Sequence, residues 1–192
     1  SNNSGTSTSN GSGTSTSNGS GTSTSNGSGS TGTSSSGTGT TGTSNGPNTT
    51  FNFVLVEDMS PNSGGESPAA DIDSISTTIQ GIETFATSVE DFSLGGGSNL
   101  DTNQALGAPD SGCTATNFVS IGGVGGYLLV SFGRSFSSGD AVTVYELGPT
   151  TCPNQTNWID EDYRILISIS SNLSDFIEIG QGGAGVNTVV IP

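Results

Sequence analysis

Among the side chains of this sequence, the carboxylates are the ones that could bind a metal ion or act in acid–base catalysis. Its 192 residues contain 17 acids against two arginines, with no lysine and no histidine, so the formal net charge is −15. Asp101 and Asp110 flank ALGAP at 105–109, and Glu146 lies in VYELG at 144–148. Asp71 and Asp73 are two positions apart. Calcium takes oxygen ligands from carboxylates and carbonyls, often in glycine-rich loops. These acids could therefore bind calcium, or they could be solvated turn residues.

Catalysis is limited by what the composition lacks. A Ser-His-Asp arrangement needs histidine and a Schiff base needs lysine, and the chain has neither. A carboxylate pair for glycoside hydrolysis is conceivable among Glu146, Asp160, Glu161 and Asp162. The last three belong to the run WIDEDY at 158–163, which we interpret as a solvated turn before a strand. We therefore expect no enzyme and no required cofactor.

The charge also limits the partners. An acidic surface without lysine repels phosphate backbones, so nucleic acid is not an expected partner. No apolar run approaches the roughly 20 residues of a membrane span, and we expect a secreted protein, extracellular or on the cell surface. In that setting Cys113 and Cys152, the only cysteines, are predicted to form a disulfide between two loops.

Short antiparallel strands must position these groups. The run FVSIGGVGGYLLVSFG at 118–133 predicts two strands separated by a tight turn of paired glycines. DAVTVYEL at 140–147 predicts another strand. FNFVLVEDM at 51–59 alternates, with Phe51, Phe53 and Leu55 expected on one face. The isoleucines of ADIDSISTTI at 70–79 also fit a helical spacing, but the β-branched content favours a strand.

The first 46 residues form a low-complexity tail with no charged and no large apolar side chain, so they cannot bury a core. The sequence SGTSTSNG occurs three times, at 4–11, 12–19 and 20–27. Fully extended, the tail could span up to about 150 Å, as a stalk or fibre would. A flexible linker is the alternative. Sequons of the form N-x-[ST] predict glycans that would stiffen the chain. They begin at Asn2, Asn10, Asn18, Asn26, Asn48, Asn154 and Asn172.

The order of four motifs carries a resemblance to a known family. These motifs are ALGAPD, FVSIGGVGGYLLVSFG, GDAVTVYELG and DYRILISISSNLSDFIEIG. Together they resemble the galactose-binding-like (discoidin-related) jelly-roll module of secreted bacterial surface proteins, over 86–191. The resemblance implies an antiparallel jelly-roll β-sandwich, a fold that by itself implies no activity. It also implies a structural calcium, with Asp101, Asp110 and Glu146 as the expected ligands.

The strand order differs from that of the family it resembles. There, a segment similar to 51–79 comes last, whereas here it precedes the module. The chain therefore divides into a tail at 1–50, a strand segment at 51–85 that completes a sandwich, and a β-sandwich at 86–192. The strand segment could complete the sandwich of its own chain or that of a neighbour. Phe51, Phe53 and Leu55 would be the donated side chains.

Two functions follow from these alternatives. Head-to-tail completion of neighbours gives an open filament, so we expect a structural subunit of an extracellular, glycosylated filament. The alternative is a monomeric carbohydrate-binding or adhesive surface module on a glycosylated stalk. In that case aromatic side chains would line a sugar platform. The candidates are Tyr127, Tyr145, Trp158 and Tyr163.

Overall fold

A computed structural model describes residues 49–61, 69–95, 99–114, 116–155 and 157–192. These residues belong to one compact unit, Thr43–Pro192. The repeats of the tail lie outside the described residues. So do five of the sequons, at Asn2, Asn10, Asn18, Asn26 and Asn48.

The fold is all-β, as the sequence predicts. The described residues form ten strands and two short 3-10 turns. The strands are β1 (Thr50–Asp58), β2 (Asp71–Ile79), β3 (Ile82–Phe85), β4 (Ser88–Ser93), β5 (Val119–Ser120), β6 (Tyr127–Ser137), β7 (Ala141–Glu146), β8 (Tyr163–Ser168), β9 (Ile177–Gly182) and β10 (Val186–Val190). The 3-10 turns are Thr102–Ala105 and Leu173–Asp175.

The strands form two antiparallel sheets, and their packing makes the predicted jelly-roll β-sandwich. Sheet A has the order β4-β6-β1-β8-β9, and sheet B has the order β10-β7-β2-β3, with β5 paired to β2. The core between the sheets takes apolar side chains from both, because alternate residues of each strand face inward. Val54 and Ile165 from sheet A, and Ile75 and Val144 from sheet B, are essentially inaccessible to solvent.

The faces of β1 differ from the alternation that the sequence suggests. Phe51 packs in the main core with Val54 and Val56, whereas Phe53 and Leu55 contribute to a smaller cluster with Leu129 and Leu166. The register of β1 against β6 shifts between Phe51 and Phe53. Between these two pairs β1 advances by two residues and β6 by five, and this odd difference reverses the facing of the β1 residues beyond it.

The paired glycines make a turn between two strands, but these strands belong to different sheets. β5 pairs with β2 in sheet B, and β6 lies in sheet A. Gly122 and Gly123 have φ values of 89° and 90°, a conformation that favours glycine. A Cβ on Gly126 would stand 1.8 Å from the carbonyl oxygen of Ile121. The glycines therefore allow a sharp crossover where we expected a simple turn.

The predicted disulfide joins Cys113 to Cys152, with Cα atoms 5.6 Å apart. It lies in a third apolar cluster with Phe118, Leu147 and Trp158. The rings of Phe118 and Trp158 meet edge to face, with centroids 5.3 Å apart. The bond thus ties the loop after ALGAPD to the loop after β7, as predicted.

Candidate functional site

The first feature of functional interest is the position in the middle of sheet A that β1 occupies. We call this position the β1 gap. β1 lies in the middle of sheet A, hydrogen-bonded to β6 along one edge and to β8 along the other. Phe51, Val54, Leu55 and Val56 are each at most 5% exposed. Both edges and both faces of this strand are therefore covered by the rest of the fold.

The second strand has the same position in the other sheet. β2 lies between β7 on one side and β3 with β5 on the other. Without residues 49–85, the described strands of sheet A would fall into two separate pairs, β4 with β6 and β8 with β9. In sheet B, β7 would keep only β10 as its partner. The segment thus supplies the middle of both sheets.

A two-residue link joins this segment to the rest of the sandwich. β3 ends at Phe85 and β4 begins at Ser88, so Ala86 and Thr87 carry the chain from sheet B to sheet A. The N–H of Ala86 donates to the carbonyl of Ile75 at 2.8 Å, and the N–H of Thr87 donates to the carbonyl of Ser131 at 2.9 Å. The link is short and fixed to both sheets.

A second feature lies at the end of the sandwich where β1 ends. Asp58 ends β1, Asp71 begins β2 and Glu146 ends β7, while Asp160 and Glu161 precede β8. We call these five residues the carboxylate cluster. All but Asp160 are buried, with exposed fractions of 1–4%. Antiparallel neighbours bring the last residue of one strand beside the first residue of the next, which explains how acids distant in sequence meet here.

Backbone and hydroxyl groups satisfy several of these carboxylates. Asp58 accepts from the N–H groups of Ser60 at 2.7 Å, Ala70 at 2.9 Å and Gly123 at 3.2 Å. The Ser120 hydroxyl donates to Asp71 at 2.6 Å. The N–H of Ala69 donates to Glu161 at 2.9 Å. These acids hold the loops at this end of the sandwich together.

Only one carboxylate oxygen of Glu146 has a hydrogen-bond partner among the described residues. Its Oε2 accepts from the N–H of Gly185 at 2.9 Å, whereas its Oε1 is buried with no hydrogen-bond partner in the part of the chain that the structure describes. Burial raises the pKa of Glu146 to about 8, and repulsion from Glu161, Asp71 and Asp160 adds to the rise. Burial raises the pKa of Glu161 to about 8 as well, with further repulsion from the neighbouring acids. Burial and mutual repulsion therefore both disfavour ionisation of these two carboxyls.

Neither arginine lies among these carboxylates. Arg164 donates to Glu57 at 2.9 Å and approaches Glu178 at 3.8 Å. Arg134 donates to the Thr84 hydroxyl at 3.4 Å. With no lysine or histidine anywhere in the sequence, the chain has no other cationic side chain to offer the cluster.

The calcium ligands expected from the sequence have separate surroundings. Asp101 caps the first 3-10 turn and accepts from the N–H of Asn103 at 3.1 Å. Asp110 accepts from the N–H of Gly112 at 2.9 Å, within its own loop. Within the part of the chain that the structure describes, no three Asp, Glu or Cys side chains are grouped as metal ligands. Asp101, Asp110 and Glu146 therefore do not form a three-carboxylate centre.

The aromatic candidates for a sugar platform are mostly engaged within the fold. Tyr163 is fully buried, and Trp158 packs against Phe118. The hydroxyls of Tyr127 and Tyr145 donate to Asp91 at 2.9 Å and to Glu83 at 2.7 Å. A shallow depression of about 320 Å³ lies elsewhere, beside Asn52, Glu90 and Arg134. None of the four candidate aromatics lines it.

Two of the predicted glycosylation sites fall within the described residues. Asn154 and Asn172 are both exposed, as a glycan requires. Asn172 also caps the second 3-10 turn, where its Oδ1 accepts from the N–H of Ser174 at 3.3 Å. The cap uses the side-chain oxygen and leaves the amide nitrogen, to which an N-linked glycan attaches, outside that hydrogen bond.

Fold and disulfide together define an all-β, antiparallel sandwich of the kind that suits an oxidising environment. The chain matches no protein-family model, no curated protein and no solved structure. None of the described residues forms a helix long and apolar enough to span a bilayer. The β1 gap and the carboxylate cluster are therefore the features that bear on function.

Proposed function

We propose that the protein is a structural subunit of an extracellular filament, in which residues 49–85 of one chain complete the sandwich of the next. The observation that supports this proposal is the position of β1 and β2, each in the middle of a sheet. A segment that is contiguous in sequence, lies at one end of the sandwich domain and fills the centre of the fold can be exchanged between chains as a unit.

Exchange of the segment between chains would change few contacts, so it would cost little free energy. In the structure the segment completes its own chain, and in a filament the same strand pairs and core contacts would form between chains. Only the link at Ala86 and Thr87 would change its path. Each buried side chain of β1 is worth about 1.5–3 kcal/mol, so an unfilled gap would consume much of the stability of a typical domain. Each chain must therefore receive a segment from somewhere.

The remaining features support an extracellular setting. The disulfide requires an oxidising compartment. Sequons recur in the tail, and glycans there would stiffen it. The acidic composition keeps chains apart unless a specific contact joins them. We therefore place the subunit outside the cell, with the tail as its glycosylated spacer.

Cysteine trapping in the full chain tests which chain supplies β1. Thr50 on β1 and Ser137 on β6 are Cα partners at the end of the ladder, and Thr50 is exposed. Facing pairs of this kind have the separation that a disulfide needs. In the double variant Thr50→Cys/Ser137→Cys, a filament gives a ladder of covalent oligomers on a non-reducing gel, at the protein concentration where electron microscopy shows fibres.

The single variants Thr50→Cys and Ser137→Cys are the matched controls, because each lacks the partner thiol and should give at most dimers. If every cross-linked chain migrates as a monomer under conditions that favour assembly, the segment completes its own sandwich and the proposal fails. That result would leave the monomeric surface module, to which the geometry gives less support because its candidate aromatics are occupied by packing.

A further inference from the structure

Among the described residues, Glu146 and Thr77 each have a buried side-chain oxygen without a hydrogen-bond partner, and Glu146 is the acid of the two. Glu146 is 1% exposed, and the oxygen without a partner is its Oε1. A buried carboxylate oxygen without a partner is costly, because it has lost water and gained nothing in return. A bound cation is one partner that would satisfy this oxygen.

A second carboxylate faces the same space. A Cβ placed on Gly148 would stand 2.7 Å from Asp160 Oδ1 and 3.0 Å from Glu146 Oε1. It would also stand 3.2 Å from Glu146 Oε2. Both carboxylates are therefore directed at one small space, which is open because residue 148 has no side chain.

The surroundings make this space suitable for a hard cation. The Thr150 hydroxyl lies 3.3 Å from both carboxylate oxygens of Asp160. Glu161 and Asp71 lie close enough to Glu146 to interact with it electrostatically. Oxygen donors with no sulfur or nitrogen ligand are the set that calcium prefers, and calcium tolerates irregular geometry and bidentate carboxylates. Asp160 is exposed, so the space has a path to solvent.

We propose that a calcium ion binds between Glu146 and Asp160, in the space beside Gly148. Two carboxylates bring the charge, and hydroxyl, carbonyl and water oxygens complete the coordination. This placement differs from the one expected from the sequence, since it uses Glu146 but neither Asp101 nor Asp110. The ion compensates the buried oxygen of Glu146 and ties the end of β7 to the loop before β8.

Calcium titration of the full chain tests this site. Protein stripped with a chelator is titrated with CaCl₂ at fixed ionic strength, and heat of binding and thermal unfolding are followed. We expect saturable binding near one ion per chain and a rise in Tm of about 5 °C at a calcium concentration about 100 times the Kd. Magnesium, which demands a more regular shell, should give a smaller shift.

Three variants locate the ion. Asp160→Asn removes an exposed ligand, Glu146→Gln removes the buried one, and Gly148→Ala fills the space while keeping both acids. Each should lose the calcium-dependent rise in Tm. Asp175→Asn, at an exposed acid of the second 3-10 turn, should keep it. This control separates a specific site from general binding of cations to an acidic surface.

A purely structural role of Glu146 would give a different pattern. Glu146→Gln would then be less stable without calcium, yet its Tm would still rise on calcium addition. The proposal is overturned if the parent neither binds calcium nor gains Tm, or if Asp160→Asn and Gly148→Ala respond as the parent does.

Discussion

Asp58 and Gly123 are joined by a hydrogen bond, from the backbone N–H of Gly123 to Asp58 Oδ2 at 3.2 Å, although 65 positions separate them. Asp58 is the last residue of β1 in sheet A, and Gly123 lies in the turn that carries the chain out of β5 in sheet B. The same carboxylate accepts from the N–H groups of Ser60 and Ala70. One buried side chain thus connects the end of β1, the start of β2 and the glycine turn.

Asp58→Ala should therefore be strongly destabilising. It leaves three backbone N–H groups, those of Ser60, Ala70 and Gly123, without their acceptor in a buried setting. Each orphaned buried donor costs about 1–3 kcal/mol. We expect the free energy of unfolding to fall by about 3 kcal/mol, the loss being limited because one negative charge leaves the carboxylate cluster. Urea denaturation followed by fluorescence of Trp158 measures it.

The comparison variant is Glu178→Ala, which removes an exposed acid that lies 3.8 Å from Arg164. Surface ion pairs contribute about 0–1 kcal/mol, so this change should have little effect. Equal destabilisation by Asp58→Ala and Glu178→Ala would show that the three N–H groups find other partners and that Asp58 does not connect the loops.

Local patterns predict the strands of this fold well but predict the faces of β1 poorly. Alternation and turn residues place strands at 51–59, 70–79 and 140–147, and β1, β2 and β7 lie there. The register shift between Phe51 and Phe53 depends on how β1 meets β6, a strand more than 70 positions later. No residue within β1 indicates the irregularity. Alternation alone therefore places Phe53 and Leu55 on the same face as Phe51, which is wrong.

The consequence for packing can be tested with two phenylalanines. Phe51 is 4% exposed and stacks on Phe136 with ring centroids 6.1 Å apart, whereas Phe92 on β4 is 51% exposed. Truncation of a buried phenylalanine costs about 3–5 kcal/mol. We expect Phe51→Ala to lower the free energy of unfolding by this amount and Phe92→Ala by less than about 1 kcal/mol. Similar values for the two variants would mean that the start of β1 does not enter the core.

Removal of the disulfide should lower the free energy of unfolding, because the unfolded chain gains conformational freedom. Cys113 and Cys152 are 39 positions apart, and closing a loop of that size restricts the unfolded ensemble by about 4 kcal/mol. The double variant Cys113→Ala/Cys152→Ala should lose most of that free energy of unfolding. Reductant should lower the stability of the parent but not of the double variant. A double variant as stable as the oxidised parent would contradict this account.

The carboxylate cluster could not be predicted from the sequence. Asp71 and Glu146 are recognisable as acids at the ends of apolar runs, but nothing in the sequence indicates that Asp160 and Glu161 lie close to them. That proximity comes from the pairing of β2 with β7 and of β1 with β8. Loop acids such as Asp101 are more conspicuous in the sequence, yet Asp101 is exposed and serves as a turn cap. Burial distinguishes Asp71 and Glu146 from loop acids such as Asp101, and the sequence alone does not show burial.

Asp73 gives the last prediction, because it fixes the ALGAPD loop over β2. It is 3% exposed, and its two carboxylate oxygens accept from the N–H groups of Asp110 at 3.3 Å and Ser111 at 3.2 Å. Asp73→Ala should raise the hydrogen-exchange rates of those two amides by about tenfold, since their protection depends on this acceptor. Asp101→Ala should instead affect the amide of Asn103, to which Asp101 is bonded. The amide of Val54 in β1 reports global unfolding in both variants. If Ser111 keeps its protection in Asp73→Ala, the loop is held by its own turn and the role of Asp73 is refuted.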